Sequence, residues 1–138
     1  MSEAGLIAGG TIFAVLGFLH ALYTFTDIRR PRRIVPDDPA VIGAMKATGV
    51  RLARGGTTMW RAWVGFNFSH SLGAIVFGLG CIAVGLCLER LALPRAALAV
   101  AVVVGALYLW LAIKYWFRIP LAGIALATAL FVVALVGY

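Results

Sequence analysis

Two histidines, an asparagine and two serines sit inside stretches otherwise apolar enough to cross a membrane. They are the residues of this chain with chemistry to offer. The densest group is Asn67-Phe68-Ser69-His70-Ser71, and His20 is the second histidine. Such side chains are costly in hydrocarbon unless they have partners, so a cluster of them marks a buried site. Neutral imidazoles on facing helices can hold a haem iron or another metal, with His20 and His70 as the candidate ligands and Gly17 and Gly73 leaving room beside a flat macrocycle. A histidine with an amide neighbour can equally hold a quinone carbonyl or the polar head of a lipid-like molecule. Histidine also titrates near neutral pH, as proton-coupled transport requires. Against transport, no Asp or Glu lies within a membrane core. A hydrolase triad is poorly supported, because the only nearby carboxylate is Asp27 at the membrane edge. Whether the chain is an enzyme, and which cofactor it holds, stay open between haem, metal, quinone and none.

Depth along the helices brings four of these residues to one level. His20 is seven residues before Asp27, about 10 Å inside the end of its helix, and His70 is nine after Arg61, about 13 Å inside the same end. Asn67 and Tyr108 each lie about 9 Å in. The facing agrees. Phe13, Gly17, His20, Thr24 and Asp27 form one helical stripe, and Trp60, Trp63, Asn67, His70, Ala74 and Phe77 form another. Ser71 joins the second, and Gly105, Tyr108, Ala112 and Tyr115 form a third. The candidate ligand-binding set is therefore His20, Asn67, His70, Ser71 and Tyr108, with Asp27, Ser69 and Trp63 in support.

Each residue also has a structural reading. His20 can donate to a carbonyl or serine of a neighbouring helix, and Asn67 and Ser71 can be interhelical hydrogen bonds. Asp27 reads as a solvated helix-end carboxylate beside Arg29 and Arg30. Tyr108 and Tyr115 can pack. Trp60, Trp63, Trp110 and Trp116 read as interfacial anchors, while Arg61 and Lys114 snorkel to the surface.

The elements that must position these groups follow from hydropathy. The 138 residues are 63% hydrophobic and 12% charged, and mean hydropathy is +1.01. Soluble domains carry roughly 25% charged residues, so the chain is expected to be an integral membrane protein of one domain. Four stretches reach the roughly 20 residues that a span needs: about 5–26, 58–88, 96–116 and 120–138. The expected fold is all-α, an antiparallel four-helix membrane bundle. Pro94 and Pro120 mark helix starts, with Pro120 at a first helical position. Met1-Ser2-Glu3 has no basic n-region, so the first span is expected to stay uncleaved. Cys81 and Cys87, six apart, form neither a CxxC nor a zinc spacing. No internal repeat suggests an inverted-repeat transporter.

The connection 27–57 is the only long one. It begins with the basic, proline-broken run Asp27-Ile28-Arg29-Arg30-Pro31-Arg32-Arg33. Asp38-Pro39 then reads as an N-cap and first helical position. Val41, Ile42, Met45 and Leu52 fall opposite Lys46, Arg51 and Arg54, so an amphipathic surface helix is expected over about 38–54, ended by Gly55-Gly56. The net charge of +7 is no nucleic-acid signature, because the cations cluster between spans. Ten Lys and Arg residues on one side face Arg90 and Arg95 on the other, which puts the long loop in the cytoplasm and both termini outside. The basic loop also implies anionic lipids as partners. The glycines and alanines of the last span suit helix contacts, within the chain, in a homo-oligomer or in a larger membrane complex.

The segment Thr58-Met59-Trp60-Arg61-Ala62-Trp63-Val64-Gly65-Phe66-Asn67-Phe68-Ser69-His70-Ser71-Leu72-Gly73 resembles a group of small bacterial four-helix membrane proteins of unknown function, which share a tryptophan followed by GFN, one residue and SHSLG. Leu19-His20 and the stretch from Pro36-Asp37 to Met45 are also similar. The resemblance covers most of the first 75 residues and implies a bacterial inner membrane; it brings no reaction. Three functions follow as expectations: a binding bundle for a lipophilic molecule, haem or metal; a non-catalytic accessory or scaffold subunit; and a small transporter.

Overall fold

In the computed structural model, which describes residues 1–138, the chain is all-α. Helix α1 spans Ser2–Arg29, α2 Pro39–Ala47, α3 Met59–Leu91, α4 Arg95–Tyr115 and α5 Arg118–Val136, with a 3-10 turn at Arg51–Ala53. Four of them, α1, α3, α4 and α5, are long and apolar enough to cross a membrane, and the chain is a multi-pass membrane protein with a four-helix bundle. Helix α3, at 33 residues, is about 50 Å long, well beyond the roughly 30 Å of hydrocarbon. Pro94 is the N-cap of α4, whereas α5 starts at Arg118, two residues before Pro120. Proline without an N–H is tolerated throughout the first turn, where the amides have no intrahelical partner.

The chain divides into two compact units, Met1–Leu16 with Ala74–Tyr138, and Gly17–Gly73. In the first, the start of α1 and the end of α3 pack with α4 and α5. Phe13, wholly buried, is the hub: its ring meets Phe77 edge-on at 4.9 Å, Tyr108 edge-on at 5.2 Å and Phe131 in a stack at 5.9 Å. Small residues let the backbones approach. A Cβ on Gly10 would lie 2.5 Å from the Gly78 carbonyl oxygen and 2.9 Å from Cys81 Cβ. Glycine is therefore required for α1 and α3 to touch here, as is common where lipid rather than water surrounds the helices. Gly85 packs against Glu3 and Leu6, and Gly5 against Leu130 and Ala134. These pairings make α1 antiparallel to both α3 and α5. The hydroxyl of Tyr138 donates to the Leu93 carbonyl at 2.6 Å, tying the end of α5 to the α3–α4 connection.

In the second unit, α2 begins as its sequence dictates. Asp38 is the N-cap, its carboxylate accepting the Ala40 amide at 2.7 Å, with Pro39 in the first turn. The helix expected over about 38–54 ends at Ala47. From Thr48 the backbone is extended, and the Gly49–Thr58 bridge closes with Val50 N donating to Thr57 O at 3.2 Å and Met59 N to Thr48 O at 2.9 Å. The β-branched Thr48, Val50, Thr57 and Thr58 favour this extended pairing over helix. Arg54 and Gly55 then take positive φ, 45° and 90°. Because the helix stops short, Leu52 is not on its apolar face but 94% exposed, and Val41 is exposed too; Ile42 alone of the four expected apolar positions is buried.

Replacing Gly10 with Val should destabilise the protein in detergent by an amount typical of overpacking, about 1–3 kcal/mol, read as a fall in its thermal midpoint. Gly80→Ala, where an added Cβ meets nothing within 4 Å, should leave it unchanged.

Candidate functional site

The polar cluster of the second unit is built on the end of α1 and the start of α3. His20 Nε2 lies 2.8 Å from Asn67 Oδ1. Asn67 Nδ2 donates to the Trp63 carbonyl at 2.7 Å, one turn back on the same helix. An amide nitrogen has no lone pair to offer, so this bond fixes the amide orientation: Oδ1 faces His20 as an acceptor, and the bond requires a proton on His20 Nε2. The neutral His20 ring is therefore the Nε2–H tautomer, with Nδ1 as its acceptor nitrogen. The Thr24 hydroxyl, fully buried, donates to the His20 carbonyl at 2.9 Å, and the Ser71 hydroxyl, 1% exposed, donates to the Asn67 carbonyl at 2.8 Å. Both are local bonds that keep a hydroxyl satisfied on its own helix.

His70 completes the group. Its half-buried ring stands edge-on to His20, with centroids 5.2 Å apart and planes at 75°. Axial ligation of a haem by this pair does not fit. With iron about 2 Å from each nitrogen, two axial imidazoles have centroids roughly 6 Å apart with the macrocycle between them, and two rings in direct edge-on contact at 5.2 Å leave no room for it. A zinc-type site does not form either: two imidazoles supply half of four ligands, and no group of three or more His, Cys, Asp and Glu gathers anywhere in the chain. The arrangement is suited to hydrogen bonding, with one imidazole locked in orientation beside another.

The remaining sequence candidates have contacts of their own. Tyr108 belongs to the first unit, where it packs against Phe13 and stands edge-on to Trp116 at 6.1 Å. Ser69 is exposed and donates to the Phe66 carbonyl at 3.0 Å. It is one residue from His70, and the roughly 100° step per residue turns it to the outer face. Trp63 contributes its carbonyl to Asn67, while its indole stacks on Trp60 at 5.1 Å.

Asp27, read from sequence as a solvated carboxylate, is 1% exposed. It accepts the backbone amides of Arg32 at 3.1 Å, Arg33 at 3.3 Å and Ile34 at 2.9 Å. The chain leaving α1 folds back over the helix end, and Pro31 supplies the break. Thr24 and Tyr23 also go beyond the sequence reading. Thr24 shared the His20 stripe, and Tyr23 carries the Arg33 guanidinium 4.5 Å above its ring. The i, i+4 spacing of Thr24 to His20 was the one signal for the first; nothing local announces the second.

No protein family, curated protein or solved structure matches the chain.

Two measurements check this geometry. A double-mutant cycle of His20→Ala and Asn67→Ala should give a coupling of about 0.6 to 1.7 kcal/mol, the range of hydrogen bonds between transmembrane helices. Nitrogen-15 NMR of labelled histidine should show one ring with Nε2 protonated and Nδ1 bare, and Asn67→Leu should abolish that preference.

Proposed function

We propose that this chain is a membrane binding protein that holds a lipophilic small molecule by its polar head at His20 and His70. The observation that carries the reading is the second imidazole. His20, fixed in one tautomer by Asn67, has a second imidazole standing edge-on 5.2 Å away, so two histidines from two helices meet at one place. The Nδ1 acceptor of His20, set in direction by the Asn67 bond and placed beside a second imidazole, suits a hydroxyl head such as that of a reduced quinone. Phe66, one turn before His70 on the same helix, is exposed, giving an apolar tail a surface to lie on.

The setting in this proposal is a bacterial inner membrane, in keeping with the resemblance of the Trp63-to-Gly73 segment. The loop 27–57 lies in the cytoplasm and both termini outside, as the ten-to-two distribution of Lys and Arg favours. The site then lies in the cytoplasmic half of the bilayer. A scaffold or accessory subunit is the second reading, favoured by how fully Thr24, Asn67 and Ser71 spend their donors within the unit.

The test is mass spectrometry of what survives purification in detergent. Wild-type protein should retain a molecule other than bulk phospholipid, and His70→Ala should lose it with little change in thermal midpoint. Retention by His70→Ala equal to wild type, or no retained molecule in either, sinks the binding reading. A large stability loss in His70→Ala with nothing bound to wild type favours the scaffold.

A further inference from the structure

The buried Asp27 stands among four arginines and gives its oxygens to backbone amides rather than to their guanidinium groups. Arg29, Arg30, Arg32 and Arg33 flank Pro31, and all four are exposed, while the carboxylate is spent on the amides of residues 32–34. Its oxygens therefore shape the turn, and the four arginines stay exposed. Residues 27–61 hold eight Lys and Arg against three carboxylates. A second of these, Asp38, is also occupied by a backbone amide, that of Ala40.

Two of the four cations are held against rings of α1. Arg33 Cζ lies 4.5 Å from the Tyr23 centroid and Arg29 Cζ 5.5 Å from that of Phe25. Tyr23 and Phe25 are on the last two turns of a membrane-spanning helix, so these contacts draw the guanidiniums back toward the level where headgroups meet hydrocarbon. Several planar forks on one fixed turn match the oxygens of a phosphate, which accepts paired N–H donors. Beside them Leu22, Phe25 and Ile28 are 42%, 53% and 41% exposed, an apolar track running along α1 away from the charge. A free phosphate has no use for such a track; an acyl chain does.

We infer that the Arg29–Arg33 turn, anchored on Asp27, is a binding site for the phosphate headgroup of an anionic lipid. The site differs from a diffuse basic surface in needing the turn as well as the charge.

Native mass spectrometry of the full chain, released from nanodiscs of phosphatidylcholine with or without phosphatidylglycerol, tests this. Wild type should retain phosphatidylglycerol in preference to phosphatidylcholine. Arg32→Ala with Arg33→Ala should weaken that preference by roughly tenfold, and Arg51→Ala with Arg54→Ala, an equal loss of charge outside the turn, by much less. Asp27→Asn gives the opposite sign to simple electrostatics: it removes a negative charge, yet should reduce retention because the turn loses its anchor. Equal effects of the two arginine pairs, or tighter retention by Asp27→Asn, overturn the site in favour of general surface charge. Displacement of the lipid by inorganic phosphate at comparable concentration overturns it in favour of a free anion.

Discussion

Hydrocarbon supplies no hydrogen-bond partner, and that constraint governs every polar atom in the spans of this protein. The backbone answers it with helices, whose bonds close within the segment. The side chains answer it in the same currency. Thr11, Thr24, Asn67, Ser71 and Thr128 each donate to the carbonyl four residues back, and no buried side-chain nitrogen or oxygen lacks a partner. A polar residue can thus be carried on a membrane helix without any tertiary contact. The exception is Asn67, which satisfies its amide nitrogen locally and so has its oxygen to spend on another helix. The His20 contact exists because of that division.

The two units answer the constraint with different chemistry. The first is held by apolar contact, with Phe13, Phe77, Tyr108 and Phe131 as its aromatic centre and glycines where the backbones meet. Dispersion and close packing, rather than water exclusion, favour helix association in lipid. The second relies on polar bonds: His20 to Asn67, Asp27 to three amides and the short bridge at Gly49 and Thr58. Lys46 over Trp60, at 5.2 Å, adds a contact of the same kind as Arg33 over Tyr23. Chemistry-bearing residues concentrate in the unit with directional bonds, where geometry can be set atom by atom.

Asp27 shows what burial does to a charged group near a membrane. A carboxylate withdrawn from water needs donors, and Pro31 bends the chain so that three amides supply them. This folds a basic segment that composition alone describes as a loop. It also removes Asp27 from the pool of groups able to act on a ligand at the histidines.

Hydropathy and residue spacing by themselves determined the all-α fold, the four membrane helices, the Asp38-Pro39 start of α2 and the shared face of Asn67, His70 and Ser71. These follow from the length of an apolar run, a capping side chain and a 3.6-residue repeat, all local quantities. The early end of α2 was not legible, because Thr48 and Val50 find their partners in Thr57 and Met59 through a turn. Depth counting put Tyr108 at the level of the histidines; that its ring packs on Phe13 was not legible, because that partner comes from another helix. Only the tertiary structure decided that Asn67 Oδ1 meets His20 Nε2, that His70 lies edge-on to His20, and that Asp27 is buried. The reason is physical: a helix sequence states which way a side chain points, and the partner that completes its hydrogen bond arrives from a residue 47 positions away.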